Sequence, residues 1–406
     1  MAGRDRSGEQ NQRDGLMSTA VRDRVWPARD GTLDVVRGLI VALMALDHVR
    51  IFFTSATFDP TDVAATDWGY FLTRGVTHLC APGFFFIAGA GAWLMERAGM
   101  PRAALARFLA VRGLWLIAVE LLVFGFAWSF RPGWMWFGVI WGLGAAFILL
   151  AACVGLPKRG LLGLACAFVL LQPLLVGRSL PTPALDALFV SGGVVELAGI
   201  GTRLVLYPVL PWAALMLAGF ASAPLWLRAG RPAAARLLVA GGVMIAAFVL
   251  LRAIGIGGGA AEPFAGAKAV MSFINIRKYP PSLQFSLATL GLLALCAGAV
   301  AWRSIRDVPR LLQPLRDFGR VPFFFYAVHL FLIHGLALLA AAVLGWPLDY
   351  LFWSGSWPNL QPPPGYGVGL AGVFAVWLLV LALLWPACRW FGGLKRRHPS
   401  FLMRLL

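Results

Sequence analysis

The chain has 406 residues, of which 60% are hydrophobic and only 13% charged, with 17 Trp and 29 Phe. A soluble chain of this length would carry about twice that share of charge, so the composition points to a polytopic membrane protein. Continuous rather than alternating apolar runs exclude a β-barrel, and the formal charge of +17 follows the loops, so no nucleic acid is expected as a partner.

Residues 1–30 are polar and Arg-rich with no apolar core of a signal peptide. They read as a disordered basic cytoplasmic tail ahead of a single transmembrane domain over 31–406. Apolar segments follow at about 33–53, 71–95, 106–129, 134–155, 160–177, 203–227, 234–254, 281–302, 318–345 and 368–390. They predict an all-α fold of about ten transmembrane helices. Arg and Lys crowd alternate connections, around 97–112, 158–159, 228–236, 303–320 and 389–404, which by the positive-inside rule places both termini in the cytoplasm. The stretch 182–201, TPALDALFVSGGVVELAGIG, carries Asp186, Glu196 and a Gly-Gly break. Counting it as a span would turn two basic loops outward, so it reads as an outer-face amphipathic or re-entrant piece. The Gly-rich 255–259 and Pro-rich 361–364 read as external connectors, and five scattered cysteines as small core residues.

The first segment, LDVVRGLIVALMALDHVRIFF, holds Asp34 and Arg37 near one end and Asp47, His48 and Arg50 near the other. Ionisable groups in a span are costly and by default face a protein interior or a wet cavity. Arg37 and His48 are eleven residues apart, which puts them on one helix face about 16 Å apart along the axis. Later segments bring Arg74 and His78 at i, i+4 spacing, then Glu120, then His329 and His334, all at similar estimated depth. The loop before the eighth segment adds Asn275, Arg277, Lys278 and Tyr279. The result is a predicted polar cluster in the outer half. Plain structural readings stand beside it. His334 can hydrogen-bond a neighbouring helix, His329 can pack on Tyr326, Glu120 can pair with an arginine, and Lys278 can snorkel. A zinc site on Asp47, His48 and His78 lacks paired His or Cys spacing, so no metal is expected.

The run LDVVRG…LDHVRIFF, then FLTRGVTHLCAPGFFFIAG, KYPPSLQFSLATLG and FGRVPFFFYAVHLFLIH, resembles bacterial relatives of the heparan-α-glucosaminide N-acetyltransferase catalytic domain. Members of that family are polytopic acyltransferases that pass an acyl group from cytoplasmic acyl-CoA to a sugar across the membrane. The opening segment also resembles the acyltransferase-3 family, whose first span carries an Asp, Arg-Gly three residues on, and a His eleven past that Arg. Asp34, Arg37, Gly38 and His48 fit that spacing. In one respect the chain departs: the lysosomal enzyme's catalytic histidine precedes a Trp-Asn-Gly, and Trp68 stands near that place without such a histidine. Either the role passes to His48 or His78, or the activity differs.

The resemblance implies an acetyl-CoA or other acyl-CoA donor, an extracytoplasmic glycan or small sugar acceptor, a bacterial inner-membrane location and room for a homodimer. On that basis His48 is expected as base or acyl carrier, His78 as second candidate, Asp47 to orient the imidazole and Arg74 to stabilise the oxyanion. Arg50, Glu120, Lys278, Tyr279 and His334 are expected at the acceptor, and Asp34 and Arg37 at the CoA end. A rival reading is a secondary transporter whose His/Asp/Arg cluster couples protons or binds an anion; a non-catalytic partner in a cell-envelope complex is another.

Overall fold

The computed structural model describes residues 31–176, 180–227, 231–302, 309–352, 361–398 and 400. The tail expected over 1–30 lies outside them. The protein is 73% helical with one small sheet. The helices are α1 Gly31–Phe53, α2 Trp68–Thr77, α3 Cys80–Arg97, α4 Arg102–Val119, α5 Gly125–Ser129, α6 Val139–Cys153, α7 Lys158–Leu175 and α8 Pro183–Asp186. The chain continues as α9 Val209–Trp226, α10 Arg231–Ala253, α11 Ala267–Ile274, α12 Leu283–Trp302, α13 Gln313–Arg320, α14 Pro322–Leu344 and α15 Leu370–Arg397.

Among the described residues, eight helical stretches are long and apolar enough to cross a membrane: 68–97, 102–129, 158–175, 209–226, 231–253, 283–302, 322–344 and 370–397. Two of the ten expected spans fall short of that standard for different reasons. Helix α6 has only 15 residues. Helix α1 has 23 but carries Asp34, Arg37, Asp47 and Arg50. It tolerates them because it is the central helix, buried along most of its length against α2, α3, α13, α14 and α15. The outer helices α7, α10 and α15 are the most exposed of the eight, and α10 and α15 are also among the most apolar. That distribution suits a lipid surround.

The helices meet through small residues. A Cβ on Gly38 would lie 1.7 Å from the Leu315 carbonyl oxygen, and one on Gly319 would lie 1.7 Å from that of Asp34. Helices α1 and α13 therefore cross backbone to backbone, and Arg320 reaches Asp34 at 3.7 Å beside the crossing. Gly89 of α3 and Gly219 of α9 make a second such crossing.

The expectation of an all-α chain needs one correction. Residues 193–205 form an antiparallel hairpin, β1 Gly193–Leu197 with β2 Gly201–Val205, in register Val195↔Arg203. Gly192, Gly193, Gly199 and Gly201 take positive φ around it, a conformation other residues rarely adopt, and Val194 and Glu196 alternate with the buried Val195 and Leu197. The 182–201 stretch is thus neither a span nor a re-entrant helix. It is a short helix, a π turn and most of a hairpin, which bonds to Phe137 just ahead of α6.

The second expected span is interrupted. Pro82 has no N–H to give the His78 carbonyl, and the helix breaks at His78–Leu79 between α2 and α3. A similar break at Val321, before Pro322, divides the expected 318–345 segment into α13 and α14.

Candidate active site

The C-terminal end of α1, the starts of α2, α6, α9 and α12, and the end of α5 meet at one end of the bundle. Around them lies a chamber of about 450 Å³ lined by Asp47, His48, Arg50, Arg74, Trp128, Trp136, Tyr207, Lys278, Tyr279 and Tyr326. The connections rich in arginine gather at the opposite end, where Arg97 donates to the Leu227 carbonyl, Arg102 to that of Gly155, and Lys158 pairs with Glu96.

His48 is the chemically poised group. Its Nδ1 lies 2.7 Å from Nε2 of His329, a residue of α14 that is 0% exposed. Nδ1 of His329 faces two backbone carbonyls, Tyr326 at 2.6 Å and Phe325 at 3.1 Å. Carbonyl oxygens only accept, so that nitrogen holds the proton. In a neutral ring its Nε2 must then accept, and Nδ1 of His48 must donate. Nε2 of His48 is left unprotonated on a ring that lines the chamber. The Trp128 indole stands edge-on to that ring at 4.7 Å between centroids and restricts its rotation.

Asp47 is engaged elsewhere. Its Oδ1 accepts from Arg50 at 2.5 Å and its Oδ2 from Arg74 at 2.6 Å. The group that orients the His48 imidazole is thus His329, while Asp47 holds two guanidinium groups in place. Arg74 lines this chamber and a second one of about 430 Å³ beside it, as do Lys278 and Tyr279. The Tyr207 and Tyr279 hydroxyls are 3.3 Å apart. Burial alone would raise the Tyr279 phenol, but the neighbouring Lys278 and Arg74 cations hold it below its ordinary value.

The other expected site residues sit apart from the first chamber. His78 occupies the helix break, buried, with its ring edge against Phe285 at 5.5 Å. His334 donates from Nδ1 to the Ala127 carbonyl and lies between the rings of Phe52 and Phe130, at 4.8 and 3.9 Å. Glu120 opens a π-helical turn over 120–124 and is fully buried, with its carboxylate against the backbone of Gly138 and Ile140 where α6 begins. Asp34 pairs with Arg320, and Arg37 lies near Gly91 on the side away from the chamber. Trp128, Trp136 and Tyr207 are chamber residues that sequence reasoning did not single out. Tyr207 carried one usable signal, an aromatic hydroxyl directly before the proline that starts an apolar helix.

The two expected connectors also reach the site. Gln361 and Pro362 line the chamber mouth, and the Tyr366 hydroxyl donates to the Phe52 carbonyl at the end of α1. The glycine-rich loop is stapled by Arg252, which donates to the carbonyls of Gly259, Ser272, Phe273 and Asn275.

A multi-pass helical membrane protein with an oriented imidazole in a polar, aromatic-walled chamber is the class that fold and site define. The chain belongs to the heparan-alpha-glucosaminide N-acetyltransferase catalytic family, whose sequence pattern matches residues 29–251. No curated protein matches it. The matched region contains His48, Asp47 and Arg74 but ends before Lys278 and His329.

Proposed function

We propose that this protein transfers an acyl group, most simply acetyl, from acyl-CoA to a sugar hydroxyl or amine held in the chamber beside His48. Membership of an acetyltransferase family supports the reaction class. The observation that carries the assignment is the His48–His329 pair, which presents a basic imidazole nitrogen to an enclosed site.

In the reaction Nε2 of His48 takes the proton of the acceptor as its oxygen or nitrogen attacks the thioester carbonyl. Negative charge gathers on the carbonyl oxygen, where Arg74 stabilises it. The carbon–sulfur bond then breaks, and the CoA thiolate takes the proton back from the imidazolium. In this reading the basic end of the bundle faces the cytoplasm of a bacterial inner membrane and the chamber faces outward. CoA arrives from the basic end, with Arg37 and Asp34 below the chamber and the long pantetheine arm covering the roughly 16 Å between Arg37 and His48.

Sealed inside-out vesicles given acetyl-labelled CoA and a sugar in the lumen test the proposal. Labelled sugar should form with wild-type protein and not with His48→Ala. Movement of intact sugar without acetylation would instead place the chamber in a transport cycle.

A further inference from the structure

The hydroxyls of Tyr207 and Tyr279 meet 3.3 Å apart on the wall of the first chamber. Their rings stand edge to face with centroids 5.6 Å apart, and Tyr207 also leans on Trp212 at 4.7 Å. Ring packing accounts for the two side chains but not for two hydroxyls brought together in a polar place. Neither has a part in proton transfer through His48.

Counting hydrogen bonds gives one of them a task. A phenol oxygen donates once and accepts twice. The Lys278 ammonium has no lone pair and can only donate. It stands 5.0 Å from the centroid of the Tyr279 ring and bonds to that phenol's oxygen. With Tyr207 donating to the same oxygen, both acceptor positions of Tyr279 are filled, and its own proton is left for whatever occupies the chamber. Positive charge also bears on it. Burial alone would keep the phenol from ionising, yet Lys278 and Arg74 outweigh that and hold it below its ordinary value. A more acidic phenol is a stronger donor while it keeps its proton, and bonds to its oxygen polarise it further.

The loop that carries Tyr279 is fixed before any substrate arrives. Arg252 holds the Asn275 carbonyl at 2.8 Å, and the Asn275 side-chain amide donates to the Thr61 carbonyl at 2.8 Å. The Ser282 amide closes the loop on the Arg277 carbonyl at 3.2 Å. Donors fixed in advance are what a developing oxyanion needs, because no reorganisation is left for the transition state.

Resting on the acyltransferase reading above, we infer that Tyr279 is a catalytic residue whose hydroxyl joins Arg74 in donating a hydrogen bond to the thioester carbonyl oxygen. As the acceptor attacks, the carbonyl π pair moves onto that oxygen, between the two donors. It returns to restore the carbonyl as the carbon–sulfur bond breaks and the thiolate leaves. The Tyr279 proton stays on its own oxygen throughout, so the proton balance at His48 is unchanged. Arg74 alone is a partial answer, since Asp47 Oδ2 engages its guanidinium at 2.6 Å. Lys278 and Tyr207 are positioning residues that act through the Tyr279 oxygen.

Label transfer in vesicles tests this with Tyr279→Phe, Tyr207→Phe and the two together. Removing one oxyanion donor should lower kcat about 10²- to 10³-fold while the KM for acetyl-CoA stays near its wild-type value. Tyr207→Phe should cost less, and the double variant should be no worse than Tyr279→Phe, because both act through one hydroxyl. A folded Tyr279→Phe protein that keeps kcat within about threefold, or whose only change is a higher KM, overturns the inference and leaves the transferase reading standing. Absence of transfer in the wild type fells both.

The pH profile separates a donor from a packing role. The hydroxyl works only while protonated, so kcat should fall as pH rises through the Tyr279 value. Lys278→Met removes a cation and should move that alkaline fall to higher pH. Tyr279→3-fluorotyrosine, nearly the same size but more acidic, should move it to lower pH and keep activity below the fall. An alkaline limb that stays in place in both variants overturns the assignment, even where Tyr279→Phe fails to fold.

Discussion

Replacing His329 with alanine removes the acceptor that sets the tautomer of His48. The 2.7 Å contact is buried, so Nδ1 of His48 is left without its protein partner on the inner side of the ring. Leaving a buried donor unsatisfied costs about 1–3 kcal/mol. With tenfold in rate for each 1.4 kcal/mol or so, kcat should fall roughly 5- to 150-fold while the KM for acetyl-CoA stays near its wild-type value. His48→Ala removes the base itself and should cost about 10²- to 10⁴-fold. Because both losses act through one imidazole, the double variant should be no worse than His48→Ala alone. His329→Asn, whose amide oxygen can still accept from Nδ1, should recover part of the loss, and His329→Phe should recover none. The assay is label transfer in vesicles, with a melting curve for each variant to show that it is folded. A folded His329→Ala enzyme with wild-type kcat, or losses that multiply in the double variant, would refute the reasoning.

Asp47→Asn should leave Arg50 and Arg74 buried and mutually repelling, at about 3–5 kcal/mol of stability, read as a lower melting temperature and a poorer folded yield. Gly38→Val drives a side chain into the backbone of α13, so it should cost about 3 kcal/mol or more and part α1 from α13, seen as loss of folded protein. Arg252→Gln should release the loop between α10 and α12, whose carbonyls it gathers, and speed proteolytic cleavage there without unfolding the bundle.

Much of the architecture was readable along the chain because a bilayer imposes its demand locally. Each spanning helix must satisfy its own backbone and be apolar over about twenty residues, and that needs no knowledge of neighbours. Eight of the predicted spans meet that requirement, and the special status of the first was visible in Asp34, Arg37, Asp47, His48 and Arg50. The hairpin at 193–205 was not readable. Its apolar residues alternate over only five positions per strand, and its pairing is a contact between segments.

The site divides in the same way. That His48, Asp47 and Arg74 would lie at one level followed from helical rise, since depth is additive along a helix, and Lys278 and Tyr279 join them from the loop ahead of α12. Rotation about each helix axis is set by packing, and packing decided the rest. It brought His329 onto His48 while keeping its ring edge-on to that of Tyr326, and seated His334 between two phenylalanines. It gave Asp47 to two arginines and left His78 against Phe285 outside the first chamber. The amino-acid order by itself determined which polar groups must be buried and at what level, because the cost of burying them is written into each segment. Which partner each one finds was decided only by tertiary structure, because hydrogen bonds of 2.7 Å depend on the angle at which whole helices meet.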